Sequence, residues 1–318
     1  MFRWVLCLSL IYVNRALDAP IIGILSQETY LVDKYFPEEK HDSYIAASYV
    51  KYLESAGARV IPVWIGQHED YYRRVVNYTN GMLFPGGGTY FNESGGYGEA
   101  ARIIYTLAVE ANARERYYPL WGTCLGLQVL AFAAVGEDVR VDCSLKNQAI
   151  PLDFEPDYPN SKLFKVAPDD VVHFLKEYNV TFNYHQYCLT KEVLEEHGLA
   201  SDWRVLSTNK DATGLEFISS MESRNYPFYG VQFHPEKNQF EFGKKQIPHD
   251  NEAVTISQYF SDYFVDECRK STGSFPNEEM QRQAFIYNYS PRYTGLTNGS
   301  YEQIYVFDKE DFEKVQLV

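Results

Sequence analysis

Short unbroken apolar runs alternate with helically spaced apolar positions along the first half of the chain. Ile21-Ile22-Gly23-Ile24-Leu25 has strand length and no polar side, the pattern of a strand covered on both faces. Beyond Asp42-Ser43, which can cap a helix, Ile45, Tyr49, Tyr52, Leu53 and Ala56 share one helical face, and Gly57 ends it. Val60 to Trp64 predicts a second strand, and the Tyr- and Arg-rich stretch from Glu69 to Asn77 a second helix. Gly81-Met82-Leu83-Phe84 predicts a third strand running straight into Pro85-Gly86-Gly87-Gly88. A helix from about Glu99 to Glu115, the strand Pro119-Leu120-Trp121 and a helix through Val135 complete the series.

This alternation predicts an α/β fold: a flavodoxin-like, mostly parallel sheet with helices on both faces. The middle of the chain is less regular. Pro151, Pro156 and Pro159 mark a surface excursion, and Asp169-Asp170 can cap a helix through Tyr178. Val180 to Tyr184, Arg204 to Thr208 and Glu216 to Met221 alternate like antiparallel additions. Tyr229 to Phe233 predicts a last core strand that carries His234-Pro235-Glu236 at its end. Ile256, Tyr259, Phe260, Tyr263 and Phe264 then keep helical spacing up to Arg269-Lys270. The tail from Ser271 is polar except for Ile304-Tyr305-Val306-Phe307. No internal repeat or linker interrupts residues 20–318, which read as a single domain.

The first 16 residues have the form of a signal peptide: Arg3, an apolar run from Trp4 to Val13, then small residues at Ala16 and Ala19. Cleavage is expected after Ala16 or as late as Ala19. Five Asn-X-Ser/Thr acceptors, at Asn77, Asn92, Asn179, Asn288 and Asn298, agree with a secretory route and predict N-glycosylation. The C-terminus, Val315-Gln316-Leu317-Val318, is not a retention signal, so lysosome and extracellular space are both open. A net charge of −14 argues against a nucleic-acid partner, and no later stretch has the length and apolarity of a membrane anchor. A local basic pocket for an anionic substrate is still compatible with that charge.

Removal of the leader takes Cys7 with it and leaves Cys124, Cys143, Cys188 and Cys268. Cys124 lies in Trp121-Gly122-Thr123-Cys124-Leu125-Gly126, between a strand-like and a helix-like run, as a nucleophile on a sharp elbow would. The following helix aims its N-terminal N–H groups at the sulfur and favours the reactive thiolate. Cys124 is therefore read as a free thiol, and the other three cysteines cannot all pair within one chain. In an open parallel sheet the site lies at the C-terminal strand ends, where the glycine turn, Cys124 and His234-Pro235-Glu236 all fall. Acyl transfer by a thiol needs a base, an orienter for it and donors for the oxyanion. His234 is the base, and Glu236, two residues on along an extended strand, is its orienter. The backbone N–H groups of Gly87 and Leu125 are the oxyanion donors. No metal-ligand spacing or phosphate-binding glycine signature is found, and no cofactor is expected.

These motifs, in this order, resemble the class I glutamine amidotransferase superfamily. Gly122-Thr123-Cys124-Leu125-Gly126, His234-Pro235-Glu236 and the upstream Pro85-Gly86-Gly87-Gly88 carry the resemblance. Within it, Pro119 to Gly126, Asn183-Tyr184-His185, Tyr229 to Lys237 and Tyr289 to Gly295 resemble the γ-glutamyl hydrolase family. The resemblance implies a lysosomal or secreted homodimer that cleaves folate poly-γ-glutamates, and antifolate polyglutamates, through a thioester. It also implies that His185 contacts substrate or sets the Cys–His charge state. Gly86, Arg292 and Lys237 are further candidates for substrate binding, the two cations for its carboxylates. The rival readings are a glutaminase or amidotransferase-type amidase, which would release ammonia, and an inactive binding protein of the same fold.

Overall fold

The computed structural model describes residues 18–297 and 299–314; the expected leader and the acceptor at Asn298 lie outside the described residues. Five parallel strands form the centre of the main sheet: β1 (Ile21–Leu25), β3 (Arg59–Val63), β4 (Gly81–Phe84), β5 (Leu120–Thr123) and β11 (Phe228–Val231). Three antiparallel strands extend it, β10 (Glu216–Ser223), β9 (Trp203–Lys210) and the short β7 (Asp153–Phe154). The order is β3-β1-β4-β5-β11-β10-β9-β7. All five residues of β1 and all four of β4, β5 and β11 are buried, which is why these runs carry no polar alternation.

Helices cover both faces. On one, α2 (Glu69–Tyr78) packs on α3 (Tyr97–Ala113), which packs on α4 (Leu125–Val135) over the centre of the sheet. On the other lie α1 (Ala47–Ser55), α5 (Asp169–Glu177), the short α7 (Lys237–Phe240) and α8 (Asn251–Cys268). Asp250 caps α8 by accepting from the Ala253 N–H at 2.8 Å, and Ile256, Phe260 and Phe264 are its fully buried stripe. Trp121 packs its ring against Phe260 and Phe264 on this side.

Two smaller sheets frame the C-terminal ends of the parallel strands. A ribbon of β6 (Val141–Ile150) and β8 (Thr181–Cys188) is closed by a disulfide between Cys143 and Cys188. Cys124 and Cys268 are free and buried. The other sheet joins β2 (Ser43–Ala46), β13 (Gln303–Phe307) and β12 (Arg292–Tyr293). The helices α6 (Lys191–Glu196), α9 (Glu278–Ala284) and α10 (Lys309–Lys314) complete the fold.

Three expectations are corrected. The helix expected from Asp42-Ser43 starts only at Ala47 and has no side-chain cap, because Ser43 to Ala46 pair with β13 and tertiary pairing overrides the local capping signal. The ribbon strand β6 was not expected, although Val141, Cys143 and Leu145 alternate with Asp142, Ser144 and Lys146 as half-buried strands do. The last parallel strand ends at Val231, two residues earlier than predicted.

The elbow after β5 depends on backbone contact. A Cβ on Gly126 would lie 1.9 Å from the backbone oxygen of Phe84, in a neighbouring strand. Gly126→Ala would gain helix propensity of about 1 kcal/mol, but the collision has no flexible side chain to absorb it. The expected outcome is a net loss of about 2 kcal/mol or more in the urea unfolding free energy. An unchanged midpoint would show that the elbow is looser than this.

Candidate active site

The C-terminal ends of β4, β5 and β11 deliver the glycine turn, Cys124 and the segment from Gln232 to His234 to one cleft. Cys124 is the first residue after β5 and the N-cap of α4, with φ 53° and ψ −107°. A side chain at positive φ is strained, and such strain is held at functional turns by the structure around it. Here the Cys124 N–H donates to the Val231 oxygen at 2.7 Å, while its own carbonyl accepts from Leu127 and Gln128. The strand on one side and the helix on the other hold the sulfur at the cleft floor, 4 % exposed.

His234 faces the sulfur. Its Nδ1 is 2.7 Å from Glu236 Oε1 and 3.4 Å from the Tyr49 hydroxyl, which leaves Nε2 for Cys124. Glu236 is fully buried. It does not lie on an extended strand with His234, as expected. The chain turns at Pro235, and Glu236 is the N-cap of α7 in the helical region (φ −63°, ψ −25°), folding its carboxylate back onto the ring. Burial pulls the His234 imidazole towards neutrality. The charges of Glu236 and Cys124, and hydrogen bonds to both, outweigh it and raise the pKa from 6.5 to about 9. At neutral pH the ring is therefore an imidazolium between two acidic groups.

The glycine turn is held from beneath by side chains the sequence did not single out. Gln27 Nε2 donates to the carbonyl oxygens of Pro85 and Gly86 at 2.9 and 3.4 Å, and the Tyr97 hydroxyl donates to Pro85 O at 2.9 Å. The Gly86 N–H donates to the Tyr49 hydroxyl at 2.8 Å, so it is committed before any ligand arrives. Gly86 is not on the cleft surface, which corrects its expected contact with substrate. Its part is steric: a Cβ there would lie 2.6 Å from His234 Cε1 and 3.2 Å from Cys124 Cβ. Gly87 and Leu125 do line the cleft beside Cys124. Leu125 opens α4, so its N–H has no acceptor within the helix.

The cleft has a volume of about 700 Å³. His185, on β8, lines it with 6 % exposure; Nδ1 lies 3.5 Å from the Cys143 sulfur and the ring packs edge-on against Phe217. Burial, aided by the positive charge of His234, lowers its pKa to about 4, so His185 is neutral where His234 is charged. Its Nε2 is buried without a hydrogen-bond partner among the described residues. Lys237 also lines the cleft, with Nζ over the Tyr301 ring and 3.3 Å from Ser300 O. Arg292 does not reach it. Both terminal nitrogens of Arg292 pair with Glu39, at 2.9 and 3.0 Å, and the guanidinium lies over Phe36. Its charge is met by this local partner, outside the cleft lining.

Three further cations line the cleft, Lys34, Arg140 and Lys146, and no Asp or Glu does among the described residues. Arg140 is stacked on Phe91 and Tyr187 and fixed by Asp138. Four tyrosines of the lining, Tyr30, Tyr90, Tyr184 and Tyr187, are 44–64 % exposed. Lys146 and Tyr184 belong to the β6–β8 ribbon, whose alternation was the one signal that could have found them.

A buried free cysteine at a strand-to-helix elbow, an imidazolium and its carboxylate define a cysteine-type hydrolase on an α/β scaffold. The chain belongs to the peptidase C26 family, whose model matches residues 20–236. It is 36% identical to gamma-glutamyl hydrolase B of Dictyostelium discoideum over 96% of this chain and 89% of that one. It is 37% identical to gamma-glutamyl hydrolase of Rattus norvegicus, over 93% of this chain and 92% of that one. Gamma-glutamyl hydrolase of Homo sapiens is 39% identical over 91% and 90% of the two chains.

Because the folded pKa of His234 is raised, its protonation stabilises the fold fully below pH 6.5, and this contribution is lost as pH rises through about 9. Thermal unfolding of the wild type should therefore show a falling midpoint between pH 6.5 and 9 that His234→Gln lacks. Parallel curves for the two proteins across that window would contradict the assignment.

Proposed function

We propose that the protein hydrolyses γ-glutamyl peptide bonds of folylpoly-γ-glutamates, and of antifolate polyglutamates, through a thioester on Cys124. One observation carries the choice of substrate. The cleft that holds Cys124 is lined by three lysines, Lys34, Lys146 and Lys237, by Arg140, which Asp138 already pairs from outside the lining, and by no carboxylate among the described residues, in a chain of net charge −14. A poly-γ-glutamate brings one α-carboxylate per residue, so an acid-free basic cleft suits it where a single glutamine would leave most of these charges unmatched. The exposed tyrosine rings suit the aromatic part of a folate. The names of the relatives support the same bond type.

In this reading the Cys124 thiolate attacks the γ-carbonyl carbon, and the carbonyl oxygen becomes an oxyanion bound by the Gly87 and Leu125 amides. His234 passes its proton to the leaving amine as the C–N bond breaks, which releases glutamate or a shorter poly-γ-glutamate. The neutral imidazole then takes a proton from water as the resulting hydroxide attacks the thioester, and the C–S bond breaks to expel the Cys124 thiolate beside the imidazolium that began the cycle. Glu236 orients the ring and offsets its charge. The neutral His185, which lines the cleft, contacts substrate without adding a second cation beside His234.

The proposal extends to the compartment: a glycoprotein of the secretory route, lysosomal or extracellular, acting as a homodimer. The leader-like start, the acceptors and the family resemblance support it. Asn77, Asn92 and Asn179 are exposed. Asn288 is exposed too, but its Nδ2, the atom a glycan would occupy, donates to the carbonyls of Arg282, Gln283 and Phe285 at 2.8–2.9 Å. Peptide mass spectrometry of the secreted protein should find glycans at Asn77, Asn92 and Asn179 and little at Asn288. Full occupancy at Asn288 would mean that this cap on α9 is dispensable.

The activity is tested with folate pentaglutamate, scoring glutamate or oligoglutamate release, beside glutamine, scoring ammonia. Cys124→Ala and His234→Ala should each lower kcat/KM at least about a thousandfold, and Glu236→Ala less, by roughly ten- to a hundredfold. Ammonia from glutamine without polyglutamate cleavage would favour the amidase reading. Near-wild-type turnover by either alanine variant would refute the mechanism.

A further inference from the structure

A third group besides His234 and the start of α4 reaches the Cys124 sulfur. Gln232 is fully buried, and its Nε2 lies 3.4 Å from Cys124 Sγ. Its Oε1 accepts from Gln128 Nε2 at 3.1 Å, and that same nitrogen donates to the backbone oxygen of Tyr187 at 2.7 Å. A backbone carbonyl can only accept, so it sets Gln128 with its NH2 group towards Tyr187. That NH2 group also meets Gln232, which must answer with its oxygen and turn its own NH2 group to the sulfur. One carbonyl on β8 thus orients two buried amides in series.

We propose that Gln232 is a positioning residue for the nucleophile: it donates to Cys124 Sγ, holds the anionic sulfur in its attacking rotamer, and takes its orientation from Tyr187 through Gln128. The inference rests on the reading of Cys124 as the nucleophile. Its physical content is a neutral donor that stays in place when His234 turns its proton to the leaving amine. Hydrogen bonds to an ionised acceptor are stronger than neutral ones, so the donor favours thiolate over thiol. The carbonyl that directs this series belongs to β8, which also carries His185 and is tied to β6 by the Cys143–Cys188 disulfide. The nucleophile and the cleft wall therefore share an anchor.

Iodoacetamide alkylation of the free enzyme tests this without any substrate, with modification of Cys124 followed by peptide mass spectrometry from pH 5 to 10. Gln232→Glu keeps the volume and an oxygen for Gln128 but puts an acceptor against the sulfur; Gln232→Met removes the donor. Gln128→Glu acts one residue further out, since its carboxylate cannot donate to Gln232 and favours reversal of that amide. At pH 6 the alkylation rate should fall roughly tenfold in both Gln232 variants and in the same direction in Gln128→Glu. At pH 10 the rates should converge to within about twofold. Profiles that superimpose on the wild type, or fall equally at every pH, would overturn the proposal. A wild-type Cys124 no faster at pH 6 than free cysteine would instead defeat the nucleophile reading on which it rests.

Discussion

Cys124 has positive φ without being a glycine, and most of the active site follows from how that conformation is held. Its N–H is bound to β11 through Val231 O, and its carbonyl begins the hydrogen-bond ladder of α4. Gly126, the second residue of the helix, sits against the backbone of β4 with no room for a side chain. Three adjacent parallel strands therefore meet within a few residues of one sulfur. Each strand end contributes a different chemical part: the glycine turn, the thiol and the imidazole. Loosening the elbow would separate all three, which is why strain here belongs to function rather than to poor packing.

Electrostatics divides the cleft into a floor and a wall. At the floor, a fully buried Glu236 makes His234 an imidazolium despite burial, and the charged ring lies next to the sulfur. His185, three residues before the disulfide-bonded Cys188 on β8, is kept neutral by burial and by the charge on His234. Two histidines of similar exposure thus have opposite charge states at neutral pH, because only one has a carboxylate at 2.7 Å. Around them the wall is basic and aromatic. An overall acidic protein whose cleft wall carries no carboxylate among the described residues has the polarity of a site for an anion.

Much of this was legible in the residues. The runs at 21–25 and 81–84 coincide with β1 and β4, since strands buried on both faces write their boundaries directly into hydrophobicity. The free state of Cys124 and its partnership with His234 followed from motif order along an alternating chain. What failed depends on contacts distant in sequence. Ser43 to Ala46 look like a helix start until β13 arrives from some 260 residues away to pair with them. Arg292 looks like a free cation until Glu39 is beside it, and Gly86 like a ligand contact until Tyr49 takes its N–H. Gln27 and Gln232 carry no local signal except a polar side chain next to an apolar strand. Their meaning comes from which buried carbonyl or sulfur they meet.

Transfer of a γ-glutamyl acyl group to Cys124 is the covalent step on which this chemistry turns. Rapid acid quench of the enzyme with folate pentaglutamate, followed by mass spectrometry of the Cys124 peptide, tests it most directly. A transient acyl adduct is expected on that peptide, joined through sulfur and released by hydroxylamine. Product formation with no adduct on Cys124, or an adduct on any other residue, would contradict it.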